Sequence, residues 1–166
     1  MISVVTRHPA GTQDVAAAVA DLTRPGDVIL LDGDLGAGKT TFTQGFARRL
    51  GVTETVTSPT FTLVRSYSTT AGFDLYHADL YRLEQLSEVT DLALPELLED
   101  AGVPVSVAVI EWGERGSPAL GPAHLSIQIS HDDSSDEARR LDVVSHGGAW
   151  DDRLDDLAAR LKCPAN

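Results

Sequence analysis

The sequence predicts an α/β fold: three layers, with a mixed, mainly parallel central sheet. Three observations carry that prediction. Asp27-Val28-Ile29-Leu30-Leu31 and Val105-Ser106-Val107-Ala108-Val109-Ile110 are short, largely apolar runs, the pattern of strands buried on both faces. Segments of helical period lie around the first of them, with Val15, Val19 and Leu22 before it and Phe42, Phe46 and Leu50 after it, as alternating β and α units require. Strand-like segments joined by turn residues also occur, and such hairpins add antiparallel strands to the parallel centre. With 166 residues and 42% hydrophobic content, residues 1–166 are expected to form one domain with a real core.

Taken in order, Ile2 to Thr6 reads as a first strand. Thr12-Gln13-Asp14 is placed as the cap of the first helix, which Thr23-Arg24-Pro25-Gly26 stops. The strand ending at Leu31 follows, then a glycine-rich turn and a helix from Thr41 that Gly51 ends. Val52 to Pro59 is a hydroxyl-rich loop. Phe61 to Tyr67 and Phe73 to Tyr81 read as strands joined by the turn Thr69-Thr70-Ala71-Gly72. Leu83 to Asp100 has helical spacing with a break expected at Pro95, and Gly113 to Pro122 is a Gly/Pro loop. Leu125 to Ile129 and Arg140 to Val144 form a late hairpin placed at the sheet edge, and Trp150 to Leu161 a closing amphipathic helix.

The glycine-rich turn is the most informative segment. Gly33-Asp34-Leu35-Gly36-Ala37-Gly38-Lys39-Thr40 completes the pattern G-x-x-x-x-G-K-[ST] between a strand and a helix, the context that motif needs. Glycines let the backbone wrap a polyphosphate with N–H groups inward, and the helix N-terminus adds positive potential. Lys39 is the residue that reaches β- and γ-phosphates, and the Thr40 hydroxyl the one that ligates Mg²⁺. The motif makes the expected architecture a P-loop NTPase fold that binds a nucleoside triphosphate.

Bulk properties narrow the rest. Net charge is −12, and Asp132, Asp133, Asp136, Glu137, Asp142, Asp151, Asp152, Asp155 and Asp156 crowd the last quarter. Direct grip on RNA or DNA depends on Lys and Arg against phosphate, so it is disfavoured. The acidic tail reads either as a solvated face or as a contact with a basic partner. No apolar run is long enough to span a bilayer, and Met1 to His8 lacks the apolar stretch of a signal peptide. Cys163 is the only cysteine, so no internal disulfide is possible and a cytoplasmic location is expected. His8, His124, His131 and His146 show no ligand spacing, and no zinc site is expected.

A phosphate loop calls for an acid at the end of another buried strand. Glu111 follows the run ending at Ile110, the position of a Walker B carboxylate, although Asp is the usual occupant. In His77-Ala78-Asp79-Leu80-Tyr81-Arg82 a strand would put His77, Asp79 and Tyr81 on one face. That face reads either as a solvated edge or as a carboxylate site that orients water or the metal's water shell. Thr57, Ser58 and Thr60 offer hydroxyls to a γ-phosphate, though turns also use such residues freely. Tyr76 and Tyr81 are expected to pack, Trp112 to pack in the core beside the nucleotide, and Trp150 to anchor the last helix.

The ordered set Gly33 to Thr41, Ser58-Pro59-Thr60-Phe61-Thr62-Leu63-Val64, His77-x-Asp79-Leu80-Tyr81-Arg82-Leu83 and Ile110-Glu111-Trp112 resembles the bacterial tRNA threonylcarbamoyladenosine biosynthesis ATPase family, the TsaE or YjeE type. The match runs from about Thr12 to Trp112. The phosphate loop alone is generic; the four segments in this order are specific. The resemblance implies an Mg²⁺-dependent ATPase that works with TsaB- and TsaD-type subunits of actin-like fold; with no arginine finger assignable in the sequence, slow hydrolysis by the chain alone and faster turnover in the complex are expected. That complex modifies tRNAs reading codons that begin with A, and this chain would meet tRNA only through it. ATP hydrolysis would reset the complex rather than drive the transfer.

Site roles follow from the resemblance residue by residue. Gly33, Asp34, Leu35, Gly36, Ala37, Gly38, Lys39, Thr40 and Thr41 would hold the phosphates, with Thr12, Thr60 and Arg139 near the nucleotide. Thr40, Glu111 and Asp79 would form the metal side, and Lys39, Asp79 and Glu111 the catalytic set, with either acid aligning the water. Val15-Ala16 stands where the family usually has Leu-Gly, and the acidic tail is a second departure. A GTP switch is disfavoured because Asn166 is the only asparagine, and guanine readers use Asn-Lys-x-Asp. A small-metabolite kinase is the alternative, since this length suits one; such enzymes close an arginine-bearing lid, and no arginine-rich segment is evident unless Gly113 to Pro122 with Arg115 serves as one. A module that holds ATP without hydrolysing it is a further class, and it would tolerate Glu111→Ala.

Overall fold

The two apolar runs become the centre of a seven-stranded sheet. The computed structural model describes residues 1–59, 62–83, 86–100, 102–113 and 117–162. The strands are β1 (Ile2–Thr6), β2 (Val28–Asp32), β3 (Val64–Tyr67), β4 (Asp74–Asp79), β5 (Glu99–Asp100), β6 (Val103–Pro104), β7 (Ser106–Glu111), β8 (His124–His131) and β9 (Arg139–His146). The helices are α1 (Pro9–Leu22), α2 (Lys39–Arg49), α3 (Leu86–Asp91), α4 (Leu94–Leu97), α5 (Ser117–Leu120) and α6 (Leu154–Lys162). The large sheet runs β1-β9-β8-β2-β7-β4-β3, and β5 pairs β6 separately. Its four central strands β8, β2, β7 and β4 are parallel. The flanking pairs β8/β9, β1/β9 and β3/β4 are antiparallel. The sheet is therefore mixed and parallel at its core, as in P-loop α/β folds.

Every residue of β2 and β7 is buried, which explains their unbroken apolar character: both faces are covered. Strand alternation then sorts side chains into two cores. Ile29, Leu31, Val107, Val109, Ile127 and Ile129 meet Val15, Val19, Phe42, Phe46 and Leu157 of α1, α2 and α6. Val28, Leu30, Ala78, Ala108 and Ile110 meet Leu83, Val89, Leu94 and Leu98 on the opposite side. Burial of each fully enclosed Leu, Ile or Phe contributes ~1.5–3 kcal/mol.

Several boundaries differ from expectation. The first helix begins at Pro9, not Thr12: His8 Nδ1 accepts the Gly11 N–H at 3.2 Å, and proline at the first helical position lacks a donor that would go unused there. Thr12 is thus a buried interior residue. β4 stops at Asp79, so Tyr81 is not on the strand. The break in the 83–100 segment falls at Ala93, with φ +49°, and Pro95 sits in the opening turn of α4, which tolerates it. Part of the 113–122 loop is helical, as α5. The late hairpin is not at the edge: β8 pairs with β2, and β1 covers β9.

The last helix starts at Leu154 because Trp150 to Arg153 is a turn anchored by Arg153. Its guanidinium reaches both oxygens of Asp27 at 2.6 and 3.0 Å, donates to the Leu22 carbonyl at 2.9 Å, and lies 4.0 Å over the buried Trp150 ring. No helix among the described residues is long and apolar enough to cross a membrane.

Candidate functional site

A cavity of about 410 Å³ opens at the carboxyl ends of β2, β4 and β7, lined by Leu35, Gly36, Gly38, Lys39, Thr40, Thr41, Ser58, Asp79, Tyr81, Arg82, Glu111 and Trp112. Position follows from topology, since parallel strands deliver their C-terminal residues to one edge. Asp79 and Glu111 are register partners on β4 and β7, so two residues 32 apart in sequence end side by side. The loop from β2 to α2 closes the other wall.

That loop is shaped by its glycines. A Cβ on Gly33, at φ +143°, would lie 2.1 Å from the Ile129 carbonyl oxygen, so no side chain fits. Gly38, at φ +111°, is the α2 N-cap and supplies no side-chain bond, leaving first-turn N–H groups for a ligand. Lys39 is buried, and Nζ donates to the carbonyls of Gly33 at 2.7 Å and Asp34 at 3.0 Å. Burial lowers its pKa from the ordinary lysine value, opposed by Glu111, Asp79, Asp32 and Asp34. The Trp112 ring lies 4.0 Å from the same Nζ.

The acids are held individually. Thr40 Oγ1 donates to the Glu111 carboxylate, 3.0 Å from Oε1 and 3.3 Å from Oε2, and His77 Nε2 lies 2.9 Å from Oε1. Asp79 accepts from Ser58 Oγ at 2.6 Å and from the Tyr81 N–H at 2.9 Å, one donor per oxygen. Trp112 follows Glu111 with φ +60°, a conformation costly for a bulky residue. It brings the ring over Lys39 and to 5.1 Å from the Tyr81 ring.

Of the residues singled out from sequence, Leu35, Gly36, Gly38, Lys39, Thr40, Thr41, Asp79 and Glu111 meet at this cavity. Gly33 and Asp34 reach it through the carbonyls that hold Lys39. Ala37 is buried behind the loop, where its carbonyl accepts from Arg139 Nε at 2.9 Å. Arg139 therefore braces the loop from behind, and Nη1 also donates to Asp136 and Ala138 carbonyls. Thr12 is not among the lining residues; its hydroxyl lies 3.1 Å from that of Thr6. Thr60 and Arg115 fall outside the described residues.

Two features went unread in the sequence. The His77 and Asp79 face is not a solvated edge: His77 is 0% and Asp79 4% exposed, because β3 takes the outer edge of β4 and this face, shared with Leu75, packs toward α2 and the loop that carries Val56 and Ser58. Tyr81 is 44% exposed at the cavity mouth instead of packed in a core. Trp112, expected to pack, does pack against the second core and also lines the cavity.

Thr40, Glu111 and Asp79 present only hard oxygen donors, which suits Mg²⁺ and not a soft transition metal. No group of three or more His, Cys, Asp or Glu side chains forms a metal cluster among the described residues. The donor set therefore fits an ion that takes few protein ligands and completes its shell from phosphates and water.

The sequence profile described as "Threonylcarbamoyl adenosine biosynthesis protein TsaE" matches residues 6–141. The chain belongs to the TsaE family. It is 39% identical to the TsaE protein of Bacillus subtilis over 153 residues, covering 92% of this chain and 91% of that one. Identity to the TsaE protein of Streptomyces coelicolor is 40% over 142 residues, covering 83% and 93%. The crystal structure of Bacillus subtilis YdiB superposes with a TM-score of 0.75 at 32% identity, covering 95% of this chain and 94% of that one. Both relatives carry the name tRNA threonylcarbamoyladenosine biosynthesis protein. The TsaE profile runs from the last residue of β1 to the start of β9, and so includes every residue that lines the cavity.

Proposed function

We propose that the chain is a P-loop ATPase of tRNA threonylcarbamoyladenosine biosynthesis, acting in the cytoplasm with TsaB- and TsaD-type subunits. One observation supports this reading above the others: Lys39 and Thr40 of the loop face Asp79 and Glu111 from two other strands across a single cavity. Residues 1–166 would act as one unit, and tRNA would be met only through the partner complex.

In this reading the free loop N–H groups and Lys39 receive the β- and γ-phosphates. Lys39 leaves the carbonyls of Gly33 and Asp34 to do so, exchanging neutral acceptors for anionic ones and gaining the attraction between opposite full charges. A bound Mg²⁺ would supply charge neutralisation at the phosphates, held by Thr40 and Glu111 with Asp79 nearby. Either Asp79 or Glu111 orients the attacking water. Because Ser58 and the Tyr81 N–H each hold one Asp79 oxygen, that carboxylate is pre-aimed and needs no reorganisation during reaction. The isolated chain hydrolyses ATP slowly, and the partners accelerate it by supplying what the open cavity lacks.

Calorimetric titration with ATP and Mg²⁺ tests the nucleotide site. Lys39→Ala is expected to weaken ATP binding about 10- to 100-fold, the equivalent of ~1.5–3 kcal/mol for a hydrogen bond to a charged group; equal affinity would overturn the reading. Addition of the two partner subunits is expected to raise turnover, and Glu111→Ala to abolish tRNA modification in the reconstituted system. Equal rates with and without partners would remove the activation step.

A further inference from the structure

His77 is 0% exposed and lies on the same face of β4 as Asp79, one diagonal step from Glu111 on β7. Nε2 is 2.9 Å from Glu111 Oε1, while Nδ1 is buried without a hydrogen-bond partner among the described residues. A carboxylate only accepts, so Nε2 must carry the proton. Nδ1 then remains a bare acceptor, since an N–H there would have nothing to donate to. A side chain needed only to fill that space would be apolar and would avoid the orphaned nitrogen.

We infer that His77 is a positioning residue for Glu111: its Nε2–H holds Oε1 so that the carboxylate stays aimed into the cavity. The inference rests on the proposed ATPase reading. Among the described residues the other side-chain donor to Glu111 is the Thr40 hydroxyl, which that reading commits to the metal side. His77 is fixed by the sheet and independent of α2, so it keeps the carboxylate's orientation whether or not Thr40 is engaged. Groups at this outer position set the affinity and reactivity of the ligands they hold.

The test compares the full-length chain with His77→Leu, which removes the donor, and His77→Gln, whose amide can donate at similar reach. Mn²⁺ affinity in the presence of ADP is read by electron paramagnetic resonance, and single-turnover ATP hydrolysis gives kcat and KM. His77→Leu is expected to lose about 10-fold in Mn²⁺ affinity and roughly 10- to 100-fold in kcat. KM for ATP stays near the parent value, and His77→Gln recovers most of both losses. Nitrogen NMR of the labelled, nucleotide-free chain is expected to show the Nε2–H tautomer. An Nδ1–H tautomer, or parent-like Mn²⁺ affinity and kcat in His77→Leu, would overturn the inference while leaving the ATPase reading intact. If the leucine variant does not fold, parent-like behaviour of His77→Gln together with the Nε2–H tautomer supports the inference, and the other tautomer refutes it. Failure of the parent chain to bind Mn²⁺-ADP and hydrolyse ATP would sink the ATPase reading first, and this inference with it.

Discussion

Gly45→Ala sets helix propensity against packing, and the structure decides which wins. Gly45 lies in the interior of α2, where alanine would gain ~1 kcal/mol over glycine. At this position, however, α2 crosses α1, and a Cβ would meet Gln13 Cα at 2.6 Å, its carbonyl oxygen at 2.7 Å and its Cβ at 2.8 Å. Ordinary carbon contacts lie at about 3.5–4.0 Å, so roughly 1 Å must be found. Two of the three obstructing atoms are backbone and cannot swing aside. The helices must part, loosening Val15 and Val19 against Phe42 and Phe46 in a common core. Overpacking of this kind costs ~1–3 kcal/mol, and the unyielding backbone puts it at ~3. Subtracting the propensity gain leaves ~2 kcal/mol of destabilisation. For a chain of this length that is a drop of about 4–8 °C in Tm, read by circular dichroism or scanning calorimetry. A Tm equal to or above that of the parent would refute the reasoning and show that the crossing has slack.

Two other perturbations have signed outcomes. Arg153→Met strands the buried Asp27 carboxylate with only the Arg24 N–H as a remaining partner among those described, at a cost of ~3–5 kcal/mol and a Tm fall on the order of 10 °C. The double variant Arg153→Met with Asp27→Leu should recover part of that loss in the same melting assay. His124, stacked on His146 with centroids 4.5 Å apart, has its pKa lowered by burial first and then by His146. The unfolded chain therefore takes up the proton more readily, and His124's contribution is complete above its ordinary value of about 6.5 and fades as pH falls through and below it. Melting at pH 7.5 and 5.5 should show a drop that is smaller in His124→Phe, which retains the ring stack.

Legibility followed the range of the physics involved. The central strands could be read because burial on both faces leaves an unbroken apolar run, and the phosphate loop because its glycines and lysine are adjacent in sequence. The strand-end position of Glu111 followed from the same logic. Element ends were read less well: Pro9 and His8 outcompete Thr12 as a helix start, a local contest whose result depends on His8 Nδ1 finding the Gly11 N–H. His77 and Tyr81 were misplaced for a different reason. Alternation says which residues share a face but not what packs on it: α2 and the loop after it lie over the face of β4 that carries Leu75, His77 and Asp79, β3 pairs along the outer edge of β4, and the strand ends before Tyr81.

By itself the sequence determined the kind of chemistry on offer: a backbone cradle with a lysine and a hydroxyl at a helix start, and acids at the ends of extended segments. These are local properties, written in residue type and spacing. Tertiary structure decided which of those groups meet. Parallel pairing of β4 with β7 sets Asp79 beside Glu111, the loop after β2 carries Lys39 and Thr40 to them, and the β8/β9 hairpin brings Arg139 behind that loop. Such encounters depend on strand order and register, which arise from packing summed over the whole sheet and leave no mark at any single position.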